Sequence, residues 1–471
     1  MIILLLLNCL IITKKKIPIS NSVFNTLINN DKYKISTDWD EDFKRYDSSY
    51  YLFNACKSGN EAAVKFLLEH GADITITDKD NRIALAKACE SGNLELVKYL
   101  VHLGADINNE YNHGITHIFN ACSSGNLNLV KYLVDYGLDI NKEFDYGYTP
   151  LFNICERGNL NLLNFSFDYG LDINKETTSG KTPLFYACEN GNLNMVKYLV
   201  EHGLNINKEN NHGITPLFNA CFSGNLNLVK YLVECGADIN KENDVGYTLL
   251  FNACQKGHED VVKYLVEHGA NIYKESNNGI TVLKEACLSD NLNLIKYLVE
   301  QGLDINKEDD DGYTPLYIAC QYGYENIVKY LVEHGLDINK EINSGYTPLY
   351  TACQKGHENV VKYLVERGAN INKETNKGWT PLMIACQNGH ENVVKYLVER
   401  GAYINKKCIS DYCPLFNACK EGHINIVKCL VENGVNINKK NNNGETPSLI
   451  ASKAGHEDIV KYLLEHGAHL N

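Results

Sequence analysis

Apolar residues recur along this chain at helical spacing, stop, and start again at a constant stride. The clearest stretch is 127–134, where Leu127, Val130, Leu133 and Val134 share one helical face. The pattern predicts a helix ending at Gly137, a residue suited to the left-handed position that closes helices. Leu138-Asp139-Ile140-Asn141-Lys142-Glu143 then reads as extended chain running into the next turn. A shorter helix precedes each such segment. In Gly147-Tyr148-Thr149-Pro150-Leu151, Thr149 suits an N-cap, and Pro150 suits the first helical turn, where its missing N–H is harmless. Eight of the nine prolines hold this position: Pro150, Pro183, Pro216, Pro315, Pro348, Pro381, Pro414 and Pro447. Helices of about ten residues are marginal alone in water. Each unit therefore has to bury its apolar face on the next.

The stride is 33 residues, and all 35 glycines fall at three positions of it. One series runs from Gly59 to Gly455, with Asp290 in its single gap. A second runs unbroken from Gly71 to Gly467. A third runs from Gly114 to Gly378 and returns at Gly444. Glycine accepts positive φ at little steric cost. Three kinks at fixed spacing describe a stack of like units, and a period of this size means a solenoid. The expected organisation is a non-repeat segment, 1–47, followed by thirteen units over 48–471.

The turn Gly345-Tyr346-Thr347-Pro348-Leu349, the inter-helix Gly356-His357 and the closing Gly368-Ala369-Asn370 resemble the ankyrin repeat family. The resemblance runs through 48–471. It implies an all-α solenoid with a hairpin, a helix and a second helix per unit. It also implies protein binding through the hairpin tips and the first helices. The family often has His after Thr-Pro-Leu; this chain has Phe152, Phe185, Phe218, Phe251, Tyr317, Tyr350 or Phe416, which removes the usual His–Thr hydrogen bond. Hydroxylation of hairpin asparagines such as Asn339 is a further implication of the resemblance.

Charge and cysteine narrow the class. A net charge of −13 argues against nucleic acid, which needs a basic patch for the phosphates. Twelve of the 17 cysteines occupy one repeat position, from Cys56 to Cys419. Stacked helices lie about 8–10 Å apart, whereas a disulfide needs Cα atoms within about 7 Å. The row is therefore read as small buried core residues, and so many thiols point to a reducing compartment, cytosol or nucleus. Met1–Thr13 is apolar and is followed by Lys14, Lys15 and Lys16. Thirteen helical residues span about 20 Å, short of a bilayer core of about 30 Å. The segment reads as a cap helix, a wrong start, or a membrane or secretory signal. Any membrane contact is expected through 1–13 only.

Candidate chemistry is repetitive. Cys and His stand four apart at Cys254/His258, Cys353/His357, Cys386/His390 and Cys419/His423, but an active site is singular. Cys408, Cys413, Cys419, His423 and Cys429 crowd one region with spacings looser than zinc sites use. No enzyme activity, metal or cofactor is expected. The Tyr of Val-Lys-Tyr-Leu-Val (Tyr99, Tyr132, Tyr198, Tyr231, Tyr264, Tyr297, Tyr330, Tyr363, Tyr396, Tyr462) is assigned to core packing. His70, His202, His268, His334 and His466 are assigned to helix ends.

The residue after each hairpin glycine is expected to point outward. From Ile115 the series continues Tyr148, Lys181, Ile214, Tyr247, Ile280, Tyr313, Tyr346, Trp379, Tyr412 and Glu445. Tyr and Trp favour protein interfaces. Tyr148, Tyr247, Tyr313, Tyr346, Trp379 and Tyr412 are therefore the candidate partner-binding residues, with supporting packing as the competing reading. The three residues before the glycine, such as Phe144-Asp145-Tyr146 or Thr375-Asn376-Lys377, form a second variable track. Asp309–Asp311 reads as a solvated tip. Two units break the rules. Ser166 stands where an apolar residue should be buried, and unit 279–311 has Val282 for Pro, Lys284 and Glu285 in the first helix, and Asp290 for Gly. These two units are expected to open first. The function expected is a monomeric, non-enzymatic scaffold or adaptor for other proteins. The alternatives are a recruiting adaptor whose effector is another chain, and a repeat protein tethered through 1–13.

Overall fold

The computed structural model describes residues 48–111, 114–408 and 413–469. They form two compact bodies. The first, through Ala237, holds six helix pairs from Ser48–Lys57 to Leu226–Glu234. The second, from Asp238, holds seven pairs from Leu249–Lys256 to Glu457–Glu465. The described residues contain no strand. Pairing is limited to isolated hairpin bridges, Tyr111/Ile115 and Phe144/Tyr148 in the first body, Glu242/Thr248 and Glu275/Thr281 in the second. The all-helical repeat solenoid expected from the stride is what forms.

Every one of the 35 glycines has positive φ. The reasons differ by series. At Gly323 a Cβ would stand 2.5 Å from Nδ1 of His357 in the next unit, and at Gly345 it would stand 2.7 Å from the backbone nitrogen of Asn376. There glycine supplies both the turn and the room for the neighbour. A Cβ at Gly335 would meet nothing within 4 Å, so only its φ of 87° demands glycine. Asp290 does not adopt positive φ, and its helix shortens to Val282–Ala286.

The core runs through the middle of each body. Leucines, alanines and cysteines of the first helices, such as Leu85, Ala88 and Cys89, are fully buried. So are Leu129, Val130 and Leu133 and their equivalents in the second helices. The five phenylalanines that replace the family's histidine are buried side chains, filling the core rather than bonding. Burial pushes the Cys56 thiol up to about 12.

The helix starts correct one expectation. Thr149 holds the N-cap position, but its hydroxyl makes no cap bond. The N–H of Phe152 is taken at 3.1 Å by the carbonyl of Thr149 itself. Thr314, Thr347, Thr380 and Thr446 do cap through Oγ1.

Polar side chains sew unit to unit on four tracks. In the hairpins, the N–H of Asn343 donates to the carbonyl of Asp311 at 3.0 Å, and its Nδ2 donates to Asp310 at 2.8 Å. The variable track before the glycine is thus partly structural. At the inter-helix turn, Asn126 caps its own helix and donates Nδ2 to the carbonyl of Gly92 at 2.8 Å. His390 holds that place in the second body and donates Nε2 to Gln354 at 3.0 Å. In the extended loops, Asn339 Oδ1 accepts from the N–H of Asn370 at 2.7 Å, and Lys373 pairs with Glu341 at 2.6 Å.

The fourth track corrects the reading of the repeated tyrosine. Only Tyr396 of that series is buried; the other nine are half-buried on the second-helix side. Seven of the ten rings lie beneath a lysine of the preceding unit, as with Lys329 Nζ 5.9 Å from the Tyr363 centroid, while the Tyr363 hydroxyl reaches the Lys329 carbonyl at 3.4 Å. Tyr198, which has Asn164 in place of that lysine, gives its hydroxyl to Asn164 Oδ1 at 2.6 Å. The helix-end histidines behave as expected. His202 bonds the Tyr198 carbonyl through Nδ1 at 2.7 Å and stacks on its ring at 4.0 Å.

Candidate partner-binding surface

The hairpin sets the direction of the residue after the glycine. The N–H of Thr375 donates to the carbonyl of Trp379 at 2.9 Å, and the N–H of Gly378 donates to Thr375 at 2.8 Å. This turns the chain back toward the first helix, so the next side chain lies over that helix instead of pointing away. All the described members of the column, from Ile115 to Glu445, are half-buried. The outward direction expected for them is corrected accordingly. The described apolar side chains that do stand out at the tips precede the glycine: Tyr146, 78% exposed at φ 63°, and Val245, 54% exposed.

Four tyrosines of the column are propped by the residue four places on. Tyr148 meets Phe152 at 4.9 Å and also Tyr186 of the next unit at 5.5 Å. In the second body Tyr247 stacks on Phe251 at 4.6 Å, Tyr313 meets Tyr317 edge-on at 5.0 Å, and Tyr346 stacks on Tyr350 at 4.8 Å. Trp379 has Met383 at that place. Tyr313, Tyr346 and Trp379 come from three successive units, and Tyr247 is set apart from them by the unit of Ile280. Tyr148 belongs to the other body, and Tyr412 lies outside the described residues.

Beside Ile280 the charges are unusual. Lys284 pairs with Asp309, and its ammonium stands 5.1 Å from the Tyr313 centroid. Asp309 is only 9% exposed, which corrects its reading as a solvated tip. Its Oδ1 accepts from the N–H groups of Asp311 and Tyr313 at 3.1 and 2.8 Å, so it holds the hairpin shut. Tyr247 donates its hydroxyl to Glu285 at 3.3 Å. Burial, then the Glu285 charge, pushes the Tyr247 hydroxyl up to about 12.

The repeating Cys/His pairs are committed elsewhere. His357, His390 and His423 each give Nε2 to a carbonyl of the preceding unit at 3.0, 3.0 and 3.1 Å. Cys353, Cys386 and Cys419 are buried, and burial raises their thiols away from the reactive thiolate. Among the described residues no group of three or more His, Cys, Asp or Glu is placed to hold a metal ion. No helix among them is long and apolar enough to cross a membrane, and 1–13 lies outside them. Sequence reasoning missed the role of the residue after the inter-helix glycine. Its signal was the unvarying choice there of a side chain that donates hydrogen bonds: Asn, His or, once, Tyr324.

The family model described as ankyrin repeats, in three copies, matches 19–111, 109–177, 151–243, 241–309, 305–375, 340–408 and 405–471. The first match begins upstream of the glycine stride. No curated protein matches the chain at a significant level.

Proposed function

The chain belongs to the ankyrin repeat family, whose repeats are generally protein–protein interaction modules, and on that premise we propose that it is a non-enzymatic scaffold or adaptor. It engages partner proteins through the aromatic column over the first helices. Tyr247, Tyr313, Tyr346 and Trp379 are the anchors in the second body and Tyr148 in the first; Tyr412 continues the series in sequence. The array begins at residue 48, and the chain works as a monomer in the cytosol or nucleus, where its row of buried thiols stays reduced.

One observation carries this reading: the described rings are half-buried, and Tyr148, Tyr247, Tyr313 and Tyr346 are already propped by a second ring. Rigid aromatic anchors lose little freedom on binding, and such residues dominate interface energies. The test is capture of partners by the intact chain and by a variant with Tyr247, Tyr313, Tyr346 and Trp379 all changed to Ala. Circular dichroism confirms that the variant is folded. Loss of partners from the folded variant is expected; an unchanged set removes the column as the binding surface.

A further inference from the structure

One place on the first helix carries a hydrogen-bond donor in many units. Asn120 gives Nδ2–H to the carbonyl of Ala86 at 3.0 Å, Asn219 to Phe185 at 3.2 Å, and Asn417 to Met383 at 3.2 Å. Each acceptor lies 34 residues earlier. In unit 279–311 the place is held by Glu285, and the residue 34 earlier is Phe251. Glu285 is 5% exposed. Its Oε1 accepts the Tyr247 hydroxyl, and its Oε2 is buried without a partner. An ionised carboxylate can only accept, whereas the neutral acid has an O–H to give. A buried charged oxygen left unpaired is costly.

The surroundings do not cancel that charge. The preceding hairpin supplies Tyr247, and the preceding first helix supplies Gln255 and the fully buried Cys254. Lys284 is next to Glu285 on its own helix, but its ammonium is engaged by Asp309 and lies over Tyr313, both from the following hairpin. Burial is the largest influence on Glu285 and pushes its titration above the ordinary carboxylate range, against the pull of Tyr247, Lys284 and Gln255.

We propose that Glu285 is a proton-operated latch in the seam between units 246–278 and 279–311. Neutral, it donates into the seam as the asparagines do elsewhere. Ionised, it leaves the charge on a buried Oε2 that has no donor, and this loosens a unit whose first helix is already cut to Val282–Ala286. Because titration in the folded chain is raised, the stabilisation is fully present below the ordinary carboxylate value, about 4.3. It is lost as pH rises through the folded value. The latch does not depend on the partner-binding reading and can fail without it.

The test is hydrogen exchange of the full chain between pH 4 and 8, with each rate divided by its intrinsic rate at that pH. Protection of 282–300 should fall with rising pH, no more steeply than about tenfold per pH unit, the limit for one proton. Unit 345–377 should stay flat. Glu285→Asn, which restores the usual donor, and Glu285→Gln, which is permanently neutral, should both be protected at every pH. A flat wild type, or an equal fall in both variants, overturns the proposal. Should the variants not fold, the carboxyl carbon resonance of Glu285 in the wild type decides. A midpoint above the solvated glutamates supports the latch, and one at or below them overturns it.

Discussion

Ser166 offers a sharp test of how stability is distributed along the array. It is fully buried on the second helix of unit 147–179, and its hydroxyl bonds back to the carbonyl of Leu162 at 2.8 Å. The corresponding residues in the flanking units, Leu133 and Leu199, are fully buried leucines. Changing Ser166→Leu adds three apolar carbons, about 2.4 kcal/mol at about 0.8 kcal/mol for each buried group. The lost hydroxyl bond subtracts little, because the Leu162 carbonyl stays in the helix ladder. Crowding is the opposing term, about 1–3 kcal/mol when a core is already full. Here it is expected to be small, because the same place in both flanking units holds a fully buried leucine, Leu133 and Leu199. The net expectation is about 2 kcal/mol, or about thirtyfold in the local opening constant at about 1.4 kcal/mol per tenfold.

Hydrogen exchange with mass spectrometry on fragments covering 160–167 and 193–201 reads this directly. Protection of the first should rise about thirtyfold and that of the second much less, because each unit leans only on its neighbours. The reverse change, Leu199→Ser, should lower protection of 193–201 by an amount matching about 2–5 kcal/mol. If Ser166→Leu leaves 160–167 within threefold of wild type, the side chain is not limiting there and the reasoning fails.

The remaining predictions rest on separate observations. Gly323→Ala and Gly335→Ala share the cost of a left-handed residue, about 1–2 kcal/mol, but only at Gly323 must the new Cβ displace the His357 ring. Gly323→Ala should therefore be the more damaging by chemical denaturation, and equal effects would remove the close-approach argument. Among the described cysteines, Cys235 is exposed and Cys429 half-buried, the others being buried. A thiol reagent should label Cys235 first and reach the buried row only on unfolding. Fast labelling of the row in the folded chain would contradict a closed core.

The stride carried most of the fold in plain sight. Glycine at three places of a 33-residue period marks where φ must be positive, and all 35 obey. Contacts between residues about 34 apart were harder to see, because a side chain's partner in the next unit is set by stacking geometry and not by its own helix. Tyr363 sits at an apolar spacing yet lies half-buried beneath Lys329, and no spacing rule separates these readings. The direction of the hairpin column was hidden for a similar reason. Whether Tyr346 points out or folds onto Tyr350 depends on hydrogen bonds that close the turn, such as that from the N–H of Ile342 to the carbonyl of Tyr346. Asp309 was misread because a run of three acids looks solvated, although only its first member is drawn in by Lys284 and by two backbone N–H groups.

What repeats in this chain is mostly occupied by the repeat itself. The asparagine, histidine, lysine, glutamate and tyrosine tracks all find partners in adjoining units, and a residue engaged in this way is constrained by its neighbours. Freedom to vary is left at few places. The column after the hairpin glycine changes from Ile115 to Lys181 to Trp379 while the turn beneath it stays the same. The first-helix place below it changes from Phe251 to Lys284 to Tyr317. A scaffold built by duplication can distinguish one partner from another only where its copies have diverged. Ser166 and Asp290 break the period in the core and at an inter-helix turn, outside the column; under the proposed function the breaks that would encode recognition are those of the aromatic column and of the first-helix place below it.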